Sequence, residues 1–308
     1  MKLIHNFILI FVLVLCLVSV SEAASAKAPD MDHSHGPSHI VRQSLLNKYH
    51  EVKKELEKSP FAVPFFIESS VSKTASHVDI YGTFKYPFDI VQNELLVPRN
   101  CCEILLPHPN VRACTNKKGK DTWRLNVYNV IKFSEPLEDA YHLKFEYRVN
   151  VLQARYFDVS LAAPDGPFHT KDHEFGLEAI PLDKDTTFLH LRYSYGYSSL
   201  TYLLMKLFGG RKIGFSVTGM DSSGNPVYVD GLRGSVERNV ACYYIALLAH
   251  LDAHKVPAEQ RFERRISQWY DLAGRYKEQL LEMEKEEYLV YKRRDLESQQ
   301  RLQETLGK

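Results

Sequence analysis

The sequence predicts an α+β fold: a curved antiparallel sheet wrapped on a long C-terminal helix, with further helical extensions at the N- and C-termini. Three observations lead there. Apolar and polar residues alternate with period two in several segments between residues 142 and 197, as half-buried strands require. The links between those segments are short and turn-forming, Pro164-Asp165-Gly166 and Asp183-Lys184-Asp185, which suits neighbouring strands of a meander. Apolar residues at three- and four-residue spacing mark helices over 41–58, over 235–254 and again beyond 258.

Lys2 and His5 precede an unbroken apolar run from Phe7 to Val18, and two small-residue exits follow, Ser21-Glu22-Ala23 and Ala24-Ser25-Ala26. A charged start, an apolar stretch short of the ~20 residues that a bilayer span needs and small residues at the exit are the parts of a secretory signal. The expectation is a cleavable signal peptide over 1–23 and a secreted or periplasmic protein. Residues 24–40 read as a polar, His-bearing linker. His33, His35 and His39 stand close together, but no carboxylate or thiol supports them as a metal site.

An amphipathic helix is expected over Val41–Lys58, with Leu45, Leu46, Tyr49, Val52 and Leu56 on its apolar face and Ser59-Pro60 as its stop. A strand over His77–Tyr86 ends at Pro87, and two short helices follow over Phe88–Leu96 and Asn100–Leu106. Strands are expected at Val111–Cys114, Thr122–Phe133, His142–Leu152, Tyr156–Ala163, Glu174–Pro181 and Thr187–Tyr197. Phe145, Tyr147, Val149 and Val151 should share a covered face, as should Leu189, Leu191, Tyr193 and Tyr195; His190, Arg192 and Ser194 should face water. A short apolar helix over Ser199–Phe208, a hairpin around Asp221–Asn225 and a long helix over Ser235–His254 complete this domain, 65–257. From Ala258 onward the chain is densely charged and almost free of Gly and Pro. Ile266, Trp269, Ala273, Tyr276, Leu280 and Met283 repeat at coiled-coil-like spacing, so a helix packed on the domain or on one partner helix is expected, with a solvated charged tail beyond.

Composition bounds the function. The 308 residues carry a net charge of +1, with 44% hydrophobic and 12% aromatic residues. That supports a real core and leaves no basic footprint for nucleic acid. Cys101, Cys102, Cys114 and Cys242 lie beyond the leader, and an oxidising compartment favours a bridge. Pro107, Pro109 and Asn110 can turn Cys114 back to the Cys101-Cys102 pair. Cys102–Cys114 is the preferred pairing, and the sequence does not force the choice of Cys102 over Cys101.

This order of strand, two short helices, antiparallel sheet and long helix resembles the START-like (SRPBCC, polyketide cyclase/dehydrase and lipid transport) superfamily, here as a secreted bacterial member. The local likeness is best over His77–Leu106, where a strand ends in Tyr86-Pro87-Phe88 and Asp89-Ile90-Val91 opens a helix. The resemblance spans roughly 65–255 and rests on element order. It implies a helix-grip fold whose cavity, between sheet and helix, takes a lipid or other hydrophobic small molecule. The covered-face residues Phe145, Tyr147, Val149, Leu189, Leu191, Tyr193 and Tyr195 are the expected lining, with tyrosine hydroxyls to orient a polar end.

Other chemistry is sparse. His169 and His173 flank Asp172 in a loop bounded by Pro and Gly, and His250 and His254 stand one helical turn apart, but no third metal ligand is apparent. Arg192 and Arg211-Lys212 are candidates for an anionic head group. No nucleophile elbow, Rossmann glycine pattern or phosphate loop occurs, so no catalytic residue, metal or cofactor is expected. The expected function is a binding protein, with peripheral membrane contact or a protein partner on the C-terminal helix as further expectations. An enzyme of the same fold acting on a small apolar or aromatic substrate is the alternative.

Overall fold

The computed structural model describes residues 37–58, 64–208 and 213–306; the expected signal peptide and most of the His-bearing linker lie outside them. Helix α1 (Pro37–Lys58) starts before the expected Val41, with proline at the one end of a helix that tolerates it. Strands β1 (Phe65–Val71) and β2 (Ala75–Phe84) then form a hairpin. β1 was not expected: most of its residues are half-buried, so its sequence, FFIESSV, lacks a clean alternation.

Helices α2 (Phe88–Leu95) and α3 (Pro98–Leu105) carry the chain across to the far edge of the sheet. From there β3 (Val111–Lys118), β4 (Trp123–Asn129), β5 (Tyr141–Gln153), β6 (Tyr156–Asp165), β7 (Lys171–Pro181) and β8 (Thr187–Gly196) meander back until β8 pairs with β2. The result is one eight-stranded antiparallel sheet, ordered β1-β2-β8-β7-β6-β5-β4-β3. After α4 (Ser199–Phe208), a two-stranded ribbon of β9 (Val217–Met220) and β10 (Pro226–Tyr228) leads into α5 (Gly231–Ala253).

α5 is the gripping helix. Val240, Tyr244, Ile245, Leu247 and Leu251 are buried in one cluster with Val78, Ile80, Leu125, Phe157 and Leu189 of the sheet. Gly82 has a reason to interrupt β2: a Cβ there would stand 1.8 Å from the Tyr244 hydroxyl oxygen, so only glycine admits the helix this closely. Glu237 of α5 is wholly buried yet satisfied, accepting from Ser69, from the Ser216 hydroxyl and from the Phe215 and Ser216 amides. It ties the ribbon's stem and β1 to the helix. Cys102 and Cys114 are bonded, joining α3 to β3, while Cys101 and Cys242 are free.

Three expectations are corrected. The face carrying His190 and Arg192 is not simply wet. α1 lies across it, packing Leu45, Val52 and Leu56 onto Tyr81, Tyr156, Ile180 and Phe188, and His190 is buried between Asp79 and Glu178 at 2.7 Å from each. On β5 the alternation breaks: the pairing with β6 shifts between Val149 and Val151. That bulge sends Val151 to the α1 side and leaves Val149 46% exposed.

The third correction concerns the C-terminus, where several helices replace one. α6 (Arg261–Ala273), α7 (Lys277–Leu280) and α8 (Lys285–Leu306) are separated near Gly274 and before Lys285. α6 buries Ile266, Trp269 and Leu272 against α5, and α8 runs beside β3. Its charges are not all solvated. Lys292 is 1% exposed and donates to the carbonyls of His108 and Val111, and Asp295 bridges Lys292 and Arg112.

Candidate functional site

Between the sheet and the N-terminal half of α5 lies a cavity of about 320 Å³. β5, β7 and β8 build its floor with Leu143, His173, Tyr193 and Tyr195, and α5 roofs it with Val236, Arg238 and Asn239. The turn before β7, with Phe168 and Thr170, and Met205 of α4 close one side. Its lining mixes aromatic rings with polar groups and is not uniformly apolar.

The hydrogen bonds in its wall run in one direction. Thr170 Oγ1 donates to the Pro167 carbonyl at 2.6 Å, so it accepts from His173 Nε2 at 2.9 Å. That leaves His173 Nδ1 as an acceptor, 2.7 Å from the Tyr193 hydroxyl. His173 also stacks flat on Tyr195, ring centres 5.2 Å apart. Burial pushes the imidazole down to about 4 and the Tyr193 phenol well above its usual range, so at neutral pH both are uncharged and Tyr193 is the donor. Gly166 makes room for this: a Cβ there would lie 2.0 Å from His173 Nε2.

His108 forms another wall. Its Nδ1 accepts from the Asn110 amide at 3.1 Å, which places the neutral ring's proton on Nε2. Nε2 is buried beside Asn239 without a hydrogen bond of normal geometry, and the Asn129 side-chain oxygen is in the same position. Burial, then the nearby Lys292 and Arg238, hold His108 near 3, so it too is a neutral group. His108 stacks on Tyr243 at 4.3 Å, and Tyr243 meets Phe175 edge-on at 5.0 Å. Behind that aromatic pair lies a smaller recess of about 70 Å³ lined by Leu95, Leu105, Tyr147, Leu161, Leu191 and Leu247.

The expected lining residues therefore separate. Tyr193 and Tyr195 line the larger cavity; Tyr147 and Leu191 line the recess, and Tyr147 donates to the Leu96 carbonyl at 3.0 Å. Leu189 is wholly buried and Phe145 nearly so, both within the packed core. Val149 lines neither space, because the bulge leaves it exposed. His173 belongs to the site while His169 does not line it. His108, Asn129 and Asn239 were missed, since nothing in a turn-forming stretch such as Leu106-Pro107-His108-Pro109 marks its histidine as a cavity wall. Arg192 pairs with Asp158 at 3.0 Å on the opposite face of the sheet.

His250 and His254 gain the third group that their sequence lacks, Glu94 of α2, at 3.2 and 2.7 Å. The protons argue against a cation there. Arg265 donates to His250 Nδ1 at 2.9 Å, so the ring's own proton sits on Nε2 and points at Glu94. Asn100 donates to the same carboxylate at 2.9 Å. The cluster is a hydrogen-bonded tie between α2 and α5.

No protein-family model matches this sequence, and no curated protein matches it. Solved structures of similar shape include norcoclaurine synthase from Thalictrum flavum, with a TM-score of 0.32 and 10% identity over 45% of this chain and 87% of that one. The ZhuI aromatase/cyclase from Streptomyces sp. R1128 also has a TM-score of 0.32, at 11% identity over 66% and 94%. A conserved protein from Geobacillus kaustophilus has a TM-score of 0.35, at 8% identity over 58% and 95%. Likenesses this loose carry no argument about activity. The helix-grip architecture stands on the sheet order and on α5.

Proposed function

We propose that this protein is a secreted or periplasmic binding protein that holds a small amphipathic organic molecule between its sheet and α5. One observation carries the reading: a cavity of about 320 Å³ whose aromatic walls converge on the neutral Tyr193–His173 pair and on His108 Nε2. Such a volume is at the lower end of the range for small-molecule sites. The polar groups supply orientation and the rings supply contact area. A ligand oxygen would accept from His108 Nε2–H, while the Tyr193 oxygen, its proton committed to His173, would accept from a ligand hydroxyl or amine. A wholly aliphatic ligand would leave those groups unpaired, at about 1–3 kcal/mol each.

The test is to purify the secreted chain, extract it and identify co-purifying molecules by mass spectrometry, then titrate the stripped protein with the dye 1-anilinonaphthalene-8-sulfonate. A saturable site weakened in Tyr193→Phe and His108→Phe supports the reading. A stripped protein that takes up no dye, with no co-purifying molecule, overturns it.

An enzymatic reading is favoured by the Tyr193–His173 bond, since a neutral imidazole accepting a phenol proton is an acid–base pair in waiting. It requires turnover that disappears in His173→Gln while dye binding persists.

A further inference from the structure

Resting on the reading of this cavity as a binding site, we propose that the ligand carries a carboxylate, which Arg238 and His108 receive beneath α5, and that Glu282 stands on Arg238 in its place until the ligand arrives. Among the described residues, six buried side-chain polar atoms lack a hydrogen bond, and three of them belong to residues lining this one cavity: His108 Nε2, Asn129 Oδ1 and Arg238 Nε. Native interiors leave few such atoms unpaired, so three around one space mark groups reserved for a partner. Two of the three are N–H donors, and one of those sits on a cation.

Arg238 is held in place from one side. Its side chain is 15% exposed; Nη1 donates to Glu282 at 2.5 Å and Nη2 to the Leu280 carbonyl at 3.3 Å, which fixes the guanidinium plane and leaves Nε–H idle. With His108 and His173 neutral, Arg238 and Glu282 carry the only formal charges among the described residues lining the cavity. Burial, then Lys292 and Arg238, depress His108, so positive potential reaches its Nε2–H. Two idle donors, one of them charged, favour a carboxylate. The protein already seats one there. Glu282 comes from the irregular link between α7 and α8, and its side chain is 37% exposed, so leaving Arg238 returns its carboxylate to water at small cost. The buried guanidinium left alone would be far more costly, so the ligand that displaces Glu282 has to bring a negative charge of its own. Asn129 Oδ1, an acceptor, then takes a hydroxyl or amine elsewhere on the ligand.

The experiment is isothermal titration calorimetry of the stripped, full secreted chain at neutral pH with naphthalene-1-acetate and its uncharged analogue naphthalene-1-acetamide. The acetate is expected to bind about tenfold more tightly than the amide. Glu282→Gln, which removes the competing charge at an exposed position, should raise that ratio about tenfold further. Arg238→Lys keeps a cation for Glu282 but puts a methylene where Nε stands, and should lower the ratio about fivefold. A simple tie between α5 and the α7–α8 link predicts instead that Glu282→Gln melts at a lower temperature with no change in the ratio. Equal affinities of the parent chain for the two probes, or an unchanged ratio in either folded variant, overturn the proposal; where Arg238→Lys does not fold, Glu282→Gln decides. If both probes bind equally, or neither binds while the dye does, the cavity reading stands and the carboxylate falls. If neither probe nor the dye binds, both fall.

Discussion

Single atoms set the tolerances of the cavity. Gly166 is extended and unstrained, yet a methyl group there would fall on the His173 ring. Gly166→Ala is therefore expected to push the imidazole off Tyr193 and to cost about 1–3 kcal/mol as overpacking does, measured as a lower urea midpoint together with weaker dye uptake. The same histidine sets an acid limit. Its folded pKa of about 4 lies below the ordinary 6.5, so between those values the unfolded chain binds the proton and the folded one does not. Stability then falls as pH drops from 6.5 towards 4, by about 1.4 kcal/mol per pH unit for this group, and His108 adds to the slope in the same direction. Urea melts across pH 4–7 should show this, with a shallower dependence in His173→Asn. The raised pKa of His190 acts in the opposite direction, so the comparison with the variant decides: a His173→Asn profile that parallels the parent's would contradict it.

Among the elements, the edge of the sheet at β3 is instructive. Exposed edge strands invite pairing with other chains, and here α8 covers that edge with side chains in place of a strand. Gln299 accepts from the Cys114 amide at 2.9 Å, and Gln303 both accepts from the Asn116 amide and donates to its carbonyl. Gln299→Ala/Gln303→Ala should speed hydrogen exchange at those two amides and cost about 1 kcal/mol per lost bond, with little change elsewhere. The apolar periodicity stops at Met283, before α8 begins, and the stretch beyond reads as a solvated charged tail, because a glutamine four residues from another looks like an ordinary wet face. The limit is the same for β5. Alternation through Phe145 and Tyr147 was legible, yet one extra residue at the bulge moved Val149 out of the core and Val151 to the other face. Pairing partners decide a bulge, and they lie far away in sequence.

Across the whole molecule, the charged C-terminal segment beyond Ala258 contributes to the core. Ile266, Trp269, Leu272, Tyr276 and Leu280 are nearly inaccessible. Burying five such side chains contributes about 1.5–3 kcal/mol each, comparable with the whole stability of a domain. A chain ending at Pro257 is therefore expected to lose its dispersed NMR spectrum and to aggregate, although the sequence reading ends the domain at 257; a folded monomer would contradict this. The sequence by itself determined what depends on local order: the alternating strands, the short links of the meander, the long helix at 235–254 and the cavity tyrosines Tyr193 and Tyr195. Tertiary structure alone decided which groups converge. His108 from a turn, His173 from β7 and Asn239 from α5 lie far apart in the chain, and only closure of the sheet under α5 makes them walls of one cavity. Periodicity reports which face of an element is apolar; it carries no information about which distant face that element will meet.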